Sequence, residues 1–228
     1  MNTFEMFGIY HFIIIIFVFV IILLLYLLKN KIKTRSKLII KMRYSLAIIH
    51  LIFELSYYIY AIITKRSFLS TFPLELCAIA LYLTSLFLIT DNESLWKISY
   101  PLAIIGGIIT LFLGDPDGYG FLSYRFFHFF VGHGLLIFSN LFGVWILGYK
   151  MNFKDYKKFI IILLVIVGFT YIIDLITGAN FMYLQSLPAP VDFFSTLLGP
   201  LYLIPLILIF ALLYYIPVAF LPKKIEEV

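Results

Sequence analysis

Phe12-Ile13-Ile14-Ile15-Ile16-Phe17-Val18-Phe19-Val20-Ile21-Ile22-Leu23-Leu24-Leu25-Tyr26-Leu27-Leu28 is an apolar run without a single charge, closed by Lys29, Lys31 and Lys33. At about 1.5 Å of rise per residue, such a run crosses the roughly 30 Å hydrocarbon layer of a bilayer as one helix. No Lys or Arg precedes it within Met1 to Tyr10, and no small-residue cleavage site follows it. It therefore reads as a retained span rather than a signal peptide.

The rest of the chain has the same character. Its 228 residues are 63% hydrophobic and 13% charged, with a mean hydropathy of +1.06. A soluble fold of this size could not cover that much apolar surface, so the expected class is an all-α, polytopic membrane bundle forming a single transmembrane domain over 1–228. Seven spans are expected, at 9–28, 44–63, 73–90, 98–113, 126–147, 159–177 and 200–221. The fourth is short, and Gly106-Gly107 within it suits close helix packing. The segment from Gly178 to Gly199 reads as a structured cap without Lys or Arg.

The net charge of +5 would suggest nucleic-acid binding in a soluble protein. Here the basic residues cluster between spans and set orientation instead. Lys29, Lys31, Lys33, Arg35, Lys37, Lys41, Arg43, Lys97, Lys150, Lys154, Lys157, Lys158, Lys223 and Lys224 fall on one side, and only Lys65, Arg66 and Arg125 on the other. The positive-inside rule then places the N-terminus outside and the C-terminus in the cytoplasm, with the chain in the cell membrane.

Ionisable groups inside spans are costly and mark candidate sites. They are His50 and Glu54 in the second span, Glu75 and Cys77 in the third, His128 and His133 in the fifth, and Asp174 in the sixth. From the outer ends of the expected helices, the helical rise puts Asp174 about 5 Å deep, Cys77 about 6 Å, His133 about 10 Å, Glu54 about 13 Å and His50 about 20 Å. Four of them thus share the outer half of the membrane, which points to a polar cavity there. Cys77 is the only cysteine, so an intrachain disulfide is excluded. Near a helix N-terminus its thiolate is favoured, although a free cysteine also serves as a small buried hydrophobe. His133 suits a general base. His50 and Glu54, four apart, share a helix face and can bond each other or a neighbouring helix, as catalytic groups or as structural ones.

The spacing excludes several membrane chemistries. No lysine between Lys158 and Lys223 can carry a retinal Schiff base. His128 and His133 are five apart and face away from each other, which is poor for zinc; His50 and His133 differ in depth by roughly 10 Å, which is poor for a bis-histidine haem. Neither metal nor cofactor is expected.

The ordered set Phe72-Pro73-Leu74-Glu75-Leu76-Cys77, Gly107 with Pro116, Phe129-Phe130-Val131-Gly132-His133-Gly134, Asn180-Phe181-Met182-Tyr183-Leu184 and Leu198-Gly199-Pro200 resembles the YwaF-like integral membrane proteins of bacteria, from about residue 40 onward. That family is distantly similar to a eukaryotic transmembrane acyltransferase of ether phospholipids that works through a cysteine. The resemblance implies a cysteine acyl-enzyme with Cys77 as nucleophile and His133 as base. Glu54 or Asp174 is expected to orient His133, and His50 is a further catalytic candidate. Glu75, Asp174, Asn180 and Tyr183 would contact a phospholipid or lysophospholipid. Glu75 stands where the family pattern has histidine, Phe181 where it has tyrosine, and Leu201 replaces an aromatic. A non-enzymatic lipid-binding or transport protein, and a structural subunit whose polar residues merely join helices, are the alternatives.

Overall fold

The computed structural model describes residues 3–67, 69–189 and 191–221. Lys223 and Lys224 of the expected tail, and Pro190 of the expected cap, lie outside the described residues. Among the described residues the chain is helical, with one isolated bridge between Thr3 and Tyr119. The helices are α1 (Ile9–Lys33), α2 (Ser36–Ile63), α3 (Leu76–Thr90), α4 (Glu93–Pro101), α5 (Gly107–Leu113), α6 (Tyr124–Phe142), α7 (Phe153–Thr177), α8 (Asp192–Leu198) and α9 (Leu203–Ala219). A π segment at Leu102–Gly106 joins α4 to α5, and another at Gly143–Leu147 extends α6.

Among the described residues six helical stretches are long and apolar enough to cross a membrane. Their bounds correct the expected ones. The helices outrun the apolar runs, so that α1 and α2 meet at Thr34-Arg35 and the intervening lysines ride on helix ends. The fourth stretch is not the short one: it spans Glu93–Leu113, because Asn92 caps α4 by accepting from the Ser94 and Leu95 amides. The short helix is α3, at 15 residues. Pro73 disfavours helix in the residue before it, so the chain passes through an extended Glu75 before α3 begins. At about 1.5 Å per residue α3 covers only about 22 Å.

Pro101 lacks an amide hydrogen and interrupts the ladder of the fourth stretch; the wider π segment follows it directly. This widening sets the rotation of Gly106 and Gly107. A Cβ on Gly107 would come within 2.6 Å of Ile137 Cγ1, so glycine is required for α5 to lie against α6.

A polar knot ties α3, α4 and α6 in the core. The Asn140 amide donates to Thr84 Oγ1 at 2.9 Å, Ser99 donates to Asn140 Oδ1 at 3.2 Å, and Thr84 and Ser99 hydroxyls meet at 2.7 Å. All three residues have no exposed surface. Asn140→Leu should lower stability by about 1–3 kcal/mol by leaving these hydroxyls short of partners. Denaturant unfolding in mixed micelles measures this, and an unchanged midpoint would remove the knot from the account.

The bundle is uneven. Helices α3, α5 and α6 pack closely on one another or through the first π segment, whereas α7 and α9 hold mainly to each other, to α4 and to that segment. Among the described residues neither α7 nor α9 packs closely on α3 or α5.

Candidate functional site

Cys77 is the second residue of α3, partly exposed although it packs against the core of the bundle. Gly106 makes room for it: a Cβ there would stand 3.4 Å from the sulfur, an ordinary contact. The polar groups that act on the thiol are the Thr110 hydroxyl, the Glu75 carboxylate and the Tyr214 hydroxyl. Thr110 and Tyr214 escape a search restricted to histidine, cysteine and carboxylate side chains. The available signal was Thr110 one turn beyond Gly106, on the same face of an otherwise apolar helix.

Glu75 is the N-cap of α3, yet its side chain does not cap the helix. Its carboxylate instead accepts the Met182 amide at 3.2 Å. The first-turn amides of α3 are thus not covered by a capping side chain, and they carry the positive end of the helix dipole.

The cap after α7 is tied to its neighbours by hydrogen bonds. Asp174 is buried and accepts the Phe181 amide at 3.1 Å, while Tyr202 donates to the Tyr183 carbonyl at 2.6 Å. Met182 and Tyr183 both take left-handed backbone conformations (φ 54° and 57°), which cost free energy in non-glycine residues. Three hydrogen bonds, from Glu75, Asp174 and Tyr202, hold this strained pair in place. Asn180, expected to touch substrate, spends its amide inside the loop on Gln185 and Ser186. Tyr183 is half exposed at the rim.

His133 lies across the glycine pair from Cys77. Gly106 adjoins the sulfur, and a Cβ on Gly107 would be 3.3 Å from the His133 carbonyl. Among the described residues no hydrogen bond joins His133 to Cys77. The ring bonds the Phe129 carbonyl through Nδ1 at 2.7 Å. A carbonyl only accepts, so Nδ1 is assigned the hydrogen, and Nε2 is left with a lone pair and no described hydrogen-bond partner. The expected orientation of His133 by Glu54 or Asp174 is corrected here, since its own helix holds it one turn earlier. Of the flanking glycines, Gly134 admits α1, whose Val18 would stand 2.7 Å from a Cβ there, whereas Gly132 only faces Phe53.

The other sequence-derived candidates stand apart. His50 is fully buried and bonds Ser139 Oγ at 3.0 Å, a link from α2 to α6 rather than to Glu54. Glu54 accepts from Tyr82 at 3.1 Å, and Tyr58 meets Tyr82 at 3.0 Å. His128 is neutral in the tautomer that its partners require, donating to the Phe53 carbonyl and accepting from Arg125. No group of three His, Cys, Asp or Glu among the described residues could hold a metal ion.

Outside the spans, Asp117 clamps two helix ends by accepting from Arg66 and Arg125, each at 2.7 Å. Partial burial pushes its carboxyl pKa up, but hydrogen bonds and charge from Arg125 and then Arg66 outweigh burial and hold it below the ordinary value of 3.8. A depressed carboxylate contributes stability that is complete at neutral pH and lost as pH falls below that ordinary value. Asp117→Asn should therefore flatten the acid limb of a melting-temperature profile. An acid limb identical to wild type would show that the clamp adds nothing.

A family model described as the TMEM164 family matches residues 6–217. No curated protein and no solved structure gives a match.

Proposed function

The chain belongs to the TMEM164 family of multi-pass membrane proteins, and we propose that it is a thiol-dependent phospholipid acyltransferase, with acyl hydrolysis as the side reaction when water replaces the acceptor. One observation carries this reading: the sole thiol packs against the core of the bundle yet stays partly exposed, at the uncapped N-terminus of a helix. Because α7 and α9 do not pack closely on α3 and α5, a lateral seam between them is part of the proposal, through which a glycerophospholipid could enter sideways with its tails still in the bilayer.

The proposed chemistry balances as follows. His133 Nε2 receives the thiol proton through a bridging hydroxyl, for which Thr110 is placed on the α5 face between Gly106 and Gly107. The thiolate sulfur attacks the ester carbonyl carbon, an S–C bond forms, and the oxyanion meets the first-turn amides of α3. The ester C–O bond breaks, and the lysophospholipid alkoxide takes the proton back from the imidazolium. The acceptor lysophospholipid hydroxyl then gives its proton to His133 and attacks the thioester; a C–O bond forms, the S–C bond breaks, and the imidazolium returns the proton to the Cys77 thiolate. Burial disfavours a thiolate, so the accessible seam is a requirement of this chemistry. Twelve basic residues on one end of the described bundle, against three on the other, support a cytoplasmic basic end and a site opening to the outer leaflet.

Purified protein given a phospholipid with a labelled acyl chain, acceptor withheld, should carry a hydroxylamine-sensitive acyl group on Cys77. No trapped label, together with lipid binding that survives Cys77→Ser, would favour a non-enzymatic lipid-binding protein instead.

A further inference from the structure

The C-terminal end of α7 carries polar groups that the proposed chemistry does not use. Asp174 has 1% of its surface exposed and Thr170 none, and they sit one turn apart on the same helix face. Asp174 Oδ1 accepts the Phe181 amide, whereas Asp174 Oδ2 and Thr170 Oγ1 are buried without any hydrogen-bond partner. Side chains four apart on a helix have Cβ atoms about 5–6 Å apart, so one ligand between the two oxygens can reach both.

Every neighbouring charge points the same way. Glu75 is the second carboxylate facing Asp174, and no lysine or arginine acts on either one. Arg66 and Arg125, at the same end of the bundle, are both engaged by Asp117. The groups facing Asp174 from the other packed elements are the Tyr202 hydroxyl, beside Tyr171, and the amides of the cap. Asp174 also lies in the last turn of a 25-residue helix, where the dipole is negative. A buried carboxylate oxygen with no donor, beside a second carboxylate and a helix C-terminus, calls for a positive ligand.

We infer that Asp174 Oδ2 and Thr170 Oγ1 form the core of a binding site for a monovalent, oxygen-coordinated cation of sodium's class, beneath the cap. The charge favours a monovalent ion, since no cluster of three acidic, histidine or cysteine ligands exists among the described residues to hold a divalent one. The cation would stabilise the Asp174 end of α7 and, through the Phe181 amide and Glu75, the strained Met182-Tyr183 turn. This site is independent of any reaction at Cys77.

The full-length protein in nanodiscs, melted in sodium chloride and in N-methyl-D-glucamine chloride of equal ionic strength, tests it. The melting temperature should rise with sodium concentration, as it does for any ligand bound only by the folded state. Asp174→Asn should abolish that rise, Thr170→Val should weaken apparent sodium affinity about 10-fold, and Asp117→Asn should leave it unchanged. If Asp174→Asn does not fold, radioactive sodium binding to wild type and Thr170→Val decides. The inference is overturned if wild type shows no sodium-specific rise, if Thr170→Val binds as wild type does, or if acidification without sodium reproduces the whole effect, which would make a proton the partner.

Discussion

Cys77→Ser is expected to reduce acyl transfer to the uncatalysed background, a loss on the order of 10^3-fold or more, because the covalent route has no second nucleophile. Cys77 is the only cysteine, so no other thiol can take over. The substitution removes little packing: the residue is partly exposed and its close neighbour is Gly106. The fold should therefore survive, and the comparison is made on protein of matched abundance and matched melting temperature. Lipidomics of cells carrying each form gives the second readout. Activity retained by the serine form would leave the seam as a lipid-binding groove and nothing more.

The second large effect belongs to His133. His133→Gln should cost roughly 10^2- to 10^4-fold in acyl transfer, the range of general acid–base catalysis. Glutamine can still donate to the Phe129 carbonyl that the ring now bonds, but it offers no basic nitrogen. The loss should fall on formation and breakdown of the thioester alike, since one proton carrier serves both steps. Lipid affinity should be unchanged. If His133→Gln keeps full activity, the proton leaves by another route, and the Glu75 carboxylate is the remaining charged group acting on the thiol.

Much of this architecture is legible in composition and hydropathy. The apolar runs announce each crossing, and the lysine-rich ends separate the two sides of the bundle. Hydropathy misplaces the boundaries because helices continue past the hydrocarbon on polar residues: Lys29 to Lys33 prolong α1, and Lys154 to Lys158 open α7. It also assigns the short span to the fourth stretch, where capping by Asn92 adds a polar first turn that no apolar count detects.

The site is legible only in part. Cys77, Glu75 and Asp174 stand out as ionisable groups in apolar surroundings, and the fold brings them near one another. Their partners depend on helix rotation, which periodicity leaves open in a chain apolar on every face. The π segment after Pro101 decides that Gly106, and not Gly107, adjoins the thiol. The bond from His133 to its own helix, the unpartnered oxygens of Asp174 and Thr170, and the Asn140 knot are likewise matters of rotamer and register. None of these leaves a mark in the order of residue types.

The central claim is that the one thiol can be reached from the seam in the folded protein. A lipid-soluble maleimide and a membrane-impermeant maleimide, applied to the native protein in sealed vesicles, read this at Cys77 without engineered cysteines. The account predicts prompt modification by the lipid-soluble reagent, slowed by lysophospholipid that fills the seam and abolished by Gly106→Leu, which would place a side chain beside the sulfur. A thiol that reacts with neither reagent until the protein is unfolded would contradict it.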